Sequence, residues 1–206
     1  MTSTRRIGTD DSKTRAALLD AAQQLMLEDG YAGVTSRRVA AKAGLKPQLV
    51  HYYFRTMDDL FLALFRRGAD HNLERQTKAL ESAQPLRALW EFSSEPAGAT
   101  LYMEFAALAN HRPAIRAEVN EYAERFRRLQ IDALAGVLDR AGVDTDTFPA
   151  AALLLILQSI SRFLVMEQAL GMSTGHAETL ALVERLLAQF EGVRMPSGDG
   201  DIASAR

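Results

Sequence analysis

Helical periodicity runs through nearly the whole chain and constrains its fold more than any other feature. Apolar residues recur at spacings of three and four, as on one face of an α-helix; Ile115, Val119, Tyr122 and Phe126 are an example. No stretch combines period-two alternation with the β-branched enrichment that is typical of strands. The sequence therefore predicts an all-α fold of about nine helices.

Capping residues, glycines and prolines predict where these helices begin and end. Ser12 is expected to cap the first helix and Gly30 to end it. Thr35 or Ser36 should cap a short second helix, and Pro47 stands at the favoured first position of a third. A fourth helix is expected after Thr56, and further helices are predicted over 85–95, 97–110, 113–141, 147–170 and 174–191.

The charge is distributed unevenly along the chain. The net charge of -2 argues against binding to nucleic acid when the chain is taken as a whole. The window 35–55, however, contains five basic residues and no acidic residue: Arg37, Arg38, Lys42, Lys46 and Arg55. A basic patch on two short helices is typical of proteins that bind duplex DNA, and the alternative is a solvated charged face.

The two short helices and the tight turn at Gly44 predict a helix-turn-helix. In this motif, residues at the start of the second helix contact base edges in the major groove, which here are Lys46, Pro47, Gln48 and Leu49. The amide of Gln48 can pair with adenine, and Leu49 can contact a thymine methyl group. Tyr52 and Tyr53 can donate hydroxyl hydrogen bonds to phosphates.

The segment from Arg15 to about Arg67 resembles the DNA-binding domain of the TetR (tetracycline-repressor-like) family of bacterial transcription regulators. The resemblance rests on an ordered set of features: Ala21-Ala22, Gly30-Tyr31, Thr35, Val39-Ala40, Ala43-Gly44, Phe54, and Asp58 with Leu60. It implies an N-terminal DNA-binding domain, a larger and variable helical domain that binds a small effector, and a homodimer built on the last two long helices.

The resemblance also implies roles for individual residues. Thr35 and Ser36 would contact phosphate, and Arg37 would reach bases or backbone. Pro47, Gln48 and Leu49 would face bases, and a last group would contact backbone or bases: His51, Tyr52 and Tyr53. The chain departs from the family pattern at Lys46, His51, Tyr53 and Met57; Lys46 adds a candidate phosphate contact, and Met57 removes one.

The implied domain organisation has four parts. They are a disordered arm (1–11), the helix-turn-helix domain (12–56), the effector-binding and dimerisation domain (57–192) and a disordered tail (193–206). The N-terminus lacks the apolar core of a signal peptide. The longest apolar run, 149–157, is shorter than the about 20 residues that span a membrane. We therefore expect a cytoplasmic protein with no membrane partner.

An effector pocket is expected where aromatic, Met and polar residues mix on the helices after residue 82. The predicted lining is Trp90, Tyr102, Met103, Phe105, Tyr122, Phe126, Gln158 and Arg162. The alternative is that these side chains simply fill the core. For Arg162 the two interpretations are an ion pair, with Glu104 or with a glutamate across the dimer, and recognition of an acidic group on the effector.

The sequence favours a ligand-responsive transcription factor, a repressor rather than an activator, that binds a palindromic operator as a homodimer. No nucleophile with its base, no metal-ligand spacing and no phosphate-binding glycine loop is visible, so no enzyme activity, cofactor or metal is expected. One alternative is an all-helical small-molecule-binding protein or enzyme with no DNA role. Another is a DNA-binding relative that has lost its effector.

Overall fold

A computed structural model of the chain describes the backbone of residues 4–191 and the side chains of residues 12–191. Within this part there are nine α-helices and no strand, which confirms the predicted fold class. The helices are α1 (Thr4–Asp29), α2 (Ser36–Lys42), α3 (Pro47–Tyr53), α4 (Met57–Leu80), α5 (Pro85–Ser93), α6 (Pro96–His111), α7 (Pro113–Arg140), α8 (Ala150–Ala169) and α9 (His176–Phe190).

Several helix boundaries follow directly from the local sequence. The α3, α5 and α6 helices each have proline in the first turn, where its missing N–H costs no hydrogen bond. Ahead of α4, Thr56 and Asp59 cap each other: the Asp59 amide donates to Thr56 Oγ1 at 3.1 Å, and the Thr56 amide donates to Asp59 Oδ2 at 3.0 Å. This reciprocal capping stabilises the start of α4.

The first helix begins earlier than the sequence predicts. The backbone is helical from Thr4, so Ser12 lies inside α1 and is not its cap. No proline lies between residues 4 and 12, so nothing in this segment prevents the helix from extending toward the N-terminus. Residues 1–3 and the tail expected to be disordered, 193–206, lie outside the described residues.

The described chain divides into two compact units. The first contains the chain up to Thr77 together with Glu95–Arg127, and the second contains Lys78–Ser94 and the chain from Arg128 onward. In the first unit, one core joins side chains of the helix-turn-helix to side chains of α4 and α6, for example Val39, Val50, Leu60 and Leu108. The predicted boundary after residue 56 therefore does not coincide with the edge of a compact unit.

The second unit has its own core around α5, α7, α8 and α9, with Leu86, Leu138, Leu154 and Leu187 among its buried residues. Within the described residues, α8 is long and apolar enough to cross a membrane by length and composition, with a mean hydropathy of 1.6. Core helices of soluble proteins meet the same criterion. Only 28% of this stretch is buried within one chain, so α8 presents much apolar surface.

Candidate nucleic-acid interface

The α2–α3 segment forms the helix-turn-helix that the sequence predicts. Gly44 makes the turn with φ of 68°, a backbone conformation that glycine adopts without strain, and the Leu45 amide donates to the Ala40 carbonyl at 2.9 Å. Val39, Ala40 and Val50 are buried in the core of the first unit. Because the inner faces of both helices are fixed by this packing, their outer faces are held in a defined position.

All ten residues predicted to contact DNA lie at least partly open to solvent. Seven are exposed and three are half-buried: Thr35, Arg37, Lys46, Pro47, Gln48, His51 and Tyr52 are exposed, and Ser36, Leu49 and Tyr53 are half-buried. Tyr52 is 71% exposed, and its ring meets that of Tyr53 edge to face at 5.0 Å between centroids. An exposed tyrosine ring outside the core is available to a partner. The structure thus brings these residues together on two adjacent helices and their N-cap residues, and their individual contacts with DNA remain predictions.

Two of the five basic residues in the window are neutralised by acidic residues of α1. Arg38 forms an ion pair with Asp29, and Lys42 Nζ lies 2.6 Å from Glu28 Oε2. Arg37, Lys46 and Arg55 have no ion-pair partner among the side chains that the structure describes. The count of five therefore overstates the charge presented to phosphates.

The sequence analysis missed Glu28 and Asp29, although a signal was present. Both acids stand in the last turn of α1, where the helix dipole disfavours negative charge. Acidic residues in that position indicate a compensating cation nearby. Here the compensation comes from α2, which the acids help to hold against α1.

Five of the eight residues predicted to line an effector pocket belong to the first unit. Phe105 is buried, Tyr102 is 41% exposed, and Phe65 of α4 meets both Phe105 and Tyr122 edge to face. The Tyr122 hydroxyl donates to the Ala69 carbonyl at 2.8 Å, and burial, followed by the charge of Asp70, raises the pKa of Tyr122 to about 12. The others are Met103, half-buried, and Phe126, which stacks on Tyr122. Much of this set therefore packs as an aromatic cluster.

The remaining three, Trp90, Gln158 and Arg162, belong to the second unit. Trp90 and Gln158 line one small cleft between α5, α7 and α8, together with Leu86, Leu89, Ser93, Leu134, Leu154 and Leu157. Its free volume is about 10 Å³, which is about the room of one water molecule. Gln158 is buried and donates to Gln130 Oε1 at 2.8 Å. In this conformation the cleft is almost filled by side chains.

The fold and the exposed, basic α2–α3 surface define the class of protein: a helix-turn-helix DNA-binding protein with additional helices. Residues 18–64 match the family model described as "Bacterial regulatory proteins, tetR family". This segment of the chain is therefore similar to that family of bacterial regulators.

Similar proteins are known along nearly the whole chain. The curated HTH-type transcriptional repressor AcnR of Corynebacterium glutamicum is 25% identical over 178 residues, which cover 86% of this chain and 94% of that protein. A transcriptional regulator from Saccharomonospora viridis, solved in complex with choline, has a TM-score of 0.73 at 21% identity and covers 89% of this chain and 97% of its own. A TetR transcription regulator from Haloarcula marismortui has a TM-score of 0.67 at 20% identity, with 90% and 100% covered. These structures share the fold.

Proposed function

We propose that this chain is a ligand-responsive repressor that binds a palindromic operator as a homodimer and is released by a small-molecule effector. One observation carries the DNA-binding part: the start of α3 is exposed beside cations that have no ion-pair partner among the described residues. Gln48 and Leu49 would contact bases there, while Lys46 and the tyrosine hydroxyls would contact phosphates. The repressor role is supported by the likeness to AcnR.

Dimerisation is supported by the apolar surface of α8. Ile156 and Phe163 are each 54% exposed, and both lie on one face of the helix with Leu170. A second copy of the chain could bury this face of α8 together with the exposed leucines of α9. Both apolar surfaces would then be removed from water. The two recognition helices of the dimer must then lie about 34–36 Å apart to meet successive major grooves.

The release step follows from thermodynamic linkage. An effector that weakens DNA binding by some factor is itself bound more weakly by that factor in the presence of DNA. We propose that effector binding favours a different pose of α4, which follows the recognition helix directly in the chain. The regulator from S. viridis was solved with choline, which supports an organic small molecule as the effector class here.

A second candidate is an effector-independent regulator, and the filled cleft beside Trp90 favours it. Trp90 is the only tryptophan of the chain, so its fluorescence reports on this region. A ligand that quenches Trp90 and also releases DNA would support the ligand-responsive form. Quenching by no member of a broad set of small organic molecules, in a protein that binds its operator, would favour the second candidate.

Gel shifts with genomic fragments test the core proposal. We expect a fragment with an inverted repeat to be bound at nanomolar to micromolar protein in moderate salt, and a scrambled repeat to be bound much more weakly. Turnover of a substrate without any DNA binding would favour the enzyme alternative. A chain with this function would act on DNA in the cytoplasm, so the proposal includes a cytoplasmic location.

Replacing Gln48 tests the base contact that we propose for it. Gln48→Ala should lose about 1–3 kcal/mol of discrimination at one base pair of each half-site. Its affinity for variants at the other positions should keep the order seen in the parent. If Gln48→Ala ranks all half-site variants as the parent does, Gln48 does not contact a base.

A further inference from the structure

Helix α6 contacts the chain on both sides of the helix-turn-helix. One contact is made to Tyr31, just before α2, and the other to Asp58, in the first turn of α4. All of these residues belong to the first compact unit. The segment between the two contacts contains α2, the turn and α3. Helix α6 and its C-cap residue therefore hold both ends of the helix-turn-helix.

The first contact is a side-chain hydrogen bond to the backbone. The Tyr31 amide donates to Glu104 Oε2 at 2.7 Å, and the atoms are partly buried. Gly30 makes room for this approach. It has φ of 70°, and a Cβ at this position would stand 3.1 Å from the same carboxylate oxygen. A hydrogen bond to a charged acceptor is stronger than one between neutral groups, so this contact fixes the chain where it leaves α1.

The second contact is an ion pair. Arg112, which caps the C-terminus of α6, pairs with Asp58, and its guanidinium lies 5.9 Å from the centroid of the Phe61 ring. Asp58 stands at the N-terminus of α4, where the helix dipole also favours its negative charge. The two anchors differ in chemistry, and Arg112 and Asp58 are each about 40% exposed at their side chains.

We propose that Glu104 and Arg112 are positioning residues that hold the helix-turn-helix in its DNA-binding pose; this inference rests on the proposed function. Neither side chain needs to contact DNA. With both anchors in place, α2 and α3 are held relative to α6, and binding does not have to order them. Loss of an anchor lowers the fraction of molecules in the competent pose, and the apparent dissociation constant rises by the inverse of that fraction.

A measurement without DNA tests the Glu104 anchor directly. Hydrogen exchange at the Tyr31 amide, followed by NMR, should be slow in the parent and at least about tenfold faster in Glu104→Ala. Glu104→Gln keeps an oxygen acceptor and should retain most of the protection. Glu124, an exposed glutamate on α7, supplies the matched control Glu124→Ala, which should exchange as the parent does.

Operator affinity, measured well below the melting temperature of every variant, tests the function of the anchor. Glu104→Ala should bind its operator about tenfold more weakly than the parent, with Glu104→Gln within about threefold. Glu124→Ala should stay within about twofold. Unchanged affinity in a folded Glu104→Ala protein that has lost Tyr31 protection would overturn the proposal, because the hydrogen bond would then be structural only.

If Glu104→Ala does not fold, the Arg112–Asp58 ion pair provides a second way to test the proposal. Arg112→Ala removes a partly exposed side chain and should weaken operator binding by about fivefold to tenfold, while Arg128→Ala, an exposed arginine on α7, should not. Equal affinities for these two variants and the parent would also overturn the proposal. A parent that binds no operator at all would instead contradict the proposed function, so the two failures are distinguishable.

Discussion

At the scale of single residues, ion pairs decide which cations of the α2–α3 segment can meet phosphates. Lys42 and Arg38 already have carboxylate partners on α1, whereas Lys46 has no ion-pair partner among the described residues. Formal charge in a sequence window does not distinguish these cases, because the neutralising acids lie outside the window. The electrostatic contribution to DNA binding should follow the pairing rather than the count.

Salt dependence of DNA binding separates the two kinds of lysine. If Lys46 contacts a phosphate, Lys46→Ala should reduce the magnitude of the negative slope of log K against log salt by about 0.9, because one fewer counterion is released. Lys42→Ala should lower it by less, since Glu28 already neutralises Lys42. Slopes are measured on the operator between low and moderate salt. A larger change for Lys42→Ala than for Lys46→Ala would contradict this assignment.

Tyr122 gives the first unit a predictable sensitivity to alkali. Burial raises its pKa from 10.0 to about 12 in the folded chain. Above the unfolded-state pKa the unfolded chain loses this proton before the folded chain does, so Tyr122 contributes less to stability as pH rises from 10 toward 12. Urea unfolding midpoints should therefore fall more steeply over this range in the parent than in Tyr122→Phe.

The Tyr122→Phe variant also tests the hydrogen bond to the Ala69 carbonyl. At neutral pH its loss should lower the free energy of unfolding by about 1 kcal/mol. The exposed Tyr52 provides the control, because Tyr52→Phe removes a hydroxyl outside the core and should leave the midpoint at neutral pH unchanged. Parallel pH profiles for the parent and Tyr122→Phe would show that Tyr122 titrates normally.

At the scale of helices, caps and prolines made the boundaries predictable. The helices α5 to α8 begin at or next to prolines, whereas α9 follows Gly175. Thr35, Pro47 and Thr56 mark the starts of α2, α3 and α4. The predicted start of α1 was wrong because a good capping residue does not stop a helix that can continue upstream. Residues that act between helices, such as Glu28 and Arg112, were missed because periodicity identifies a face of a helix but not the residue that packs against it.

The capping pair ahead of α4 should contribute measurably to stability. Thr56→Ala removes the hydroxyl that accepts from the Asp59 amide, and the free energy of unfolding should fall by about 1 kcal/mol. Thr56→Ser keeps the hydroxyl and should unfold close to the parent. Chemical denaturation of the three proteins gives these differences. An unfolding free energy for Thr56→Ser as low as that of Thr56→Ala would show that the hydroxyl is not the stabilising group.

At the scale of the whole molecule, residues that look alike in sequence belong to different packing units. The predicted effector-pocket residues divide between the two units, with Tyr122 in the first and Trp90 and Gln158 in the second. A single chain provides no signal for this division, since each residue lies on an apolar helix face. The exposed apolar surface of α8 is visible in a single chain, and the proposed dimer would cover it.

Dissociation of the proposed dimer should follow from one charge on that surface. Phe163→Glu places a carboxylate in the proposed apolar interface. A symmetric dimer would bury two such carboxylates, one from each chain, so the dimer dissociation constant should rise at least about a hundredfold. The fold of the monomer should persist, because Phe163 is 54% exposed in a single chain. Gln168→Glu, an exposed position on another face of α8, should remain dimeric. Sedimentation velocity measures the dimerisation of both variants. If Phe163→Glu is as dimeric as Gln168→Glu, the dimer interface lies elsewhere. If Phe163→Glu is monomeric, it should also lose affinity for the full palindrome but not for a half-site.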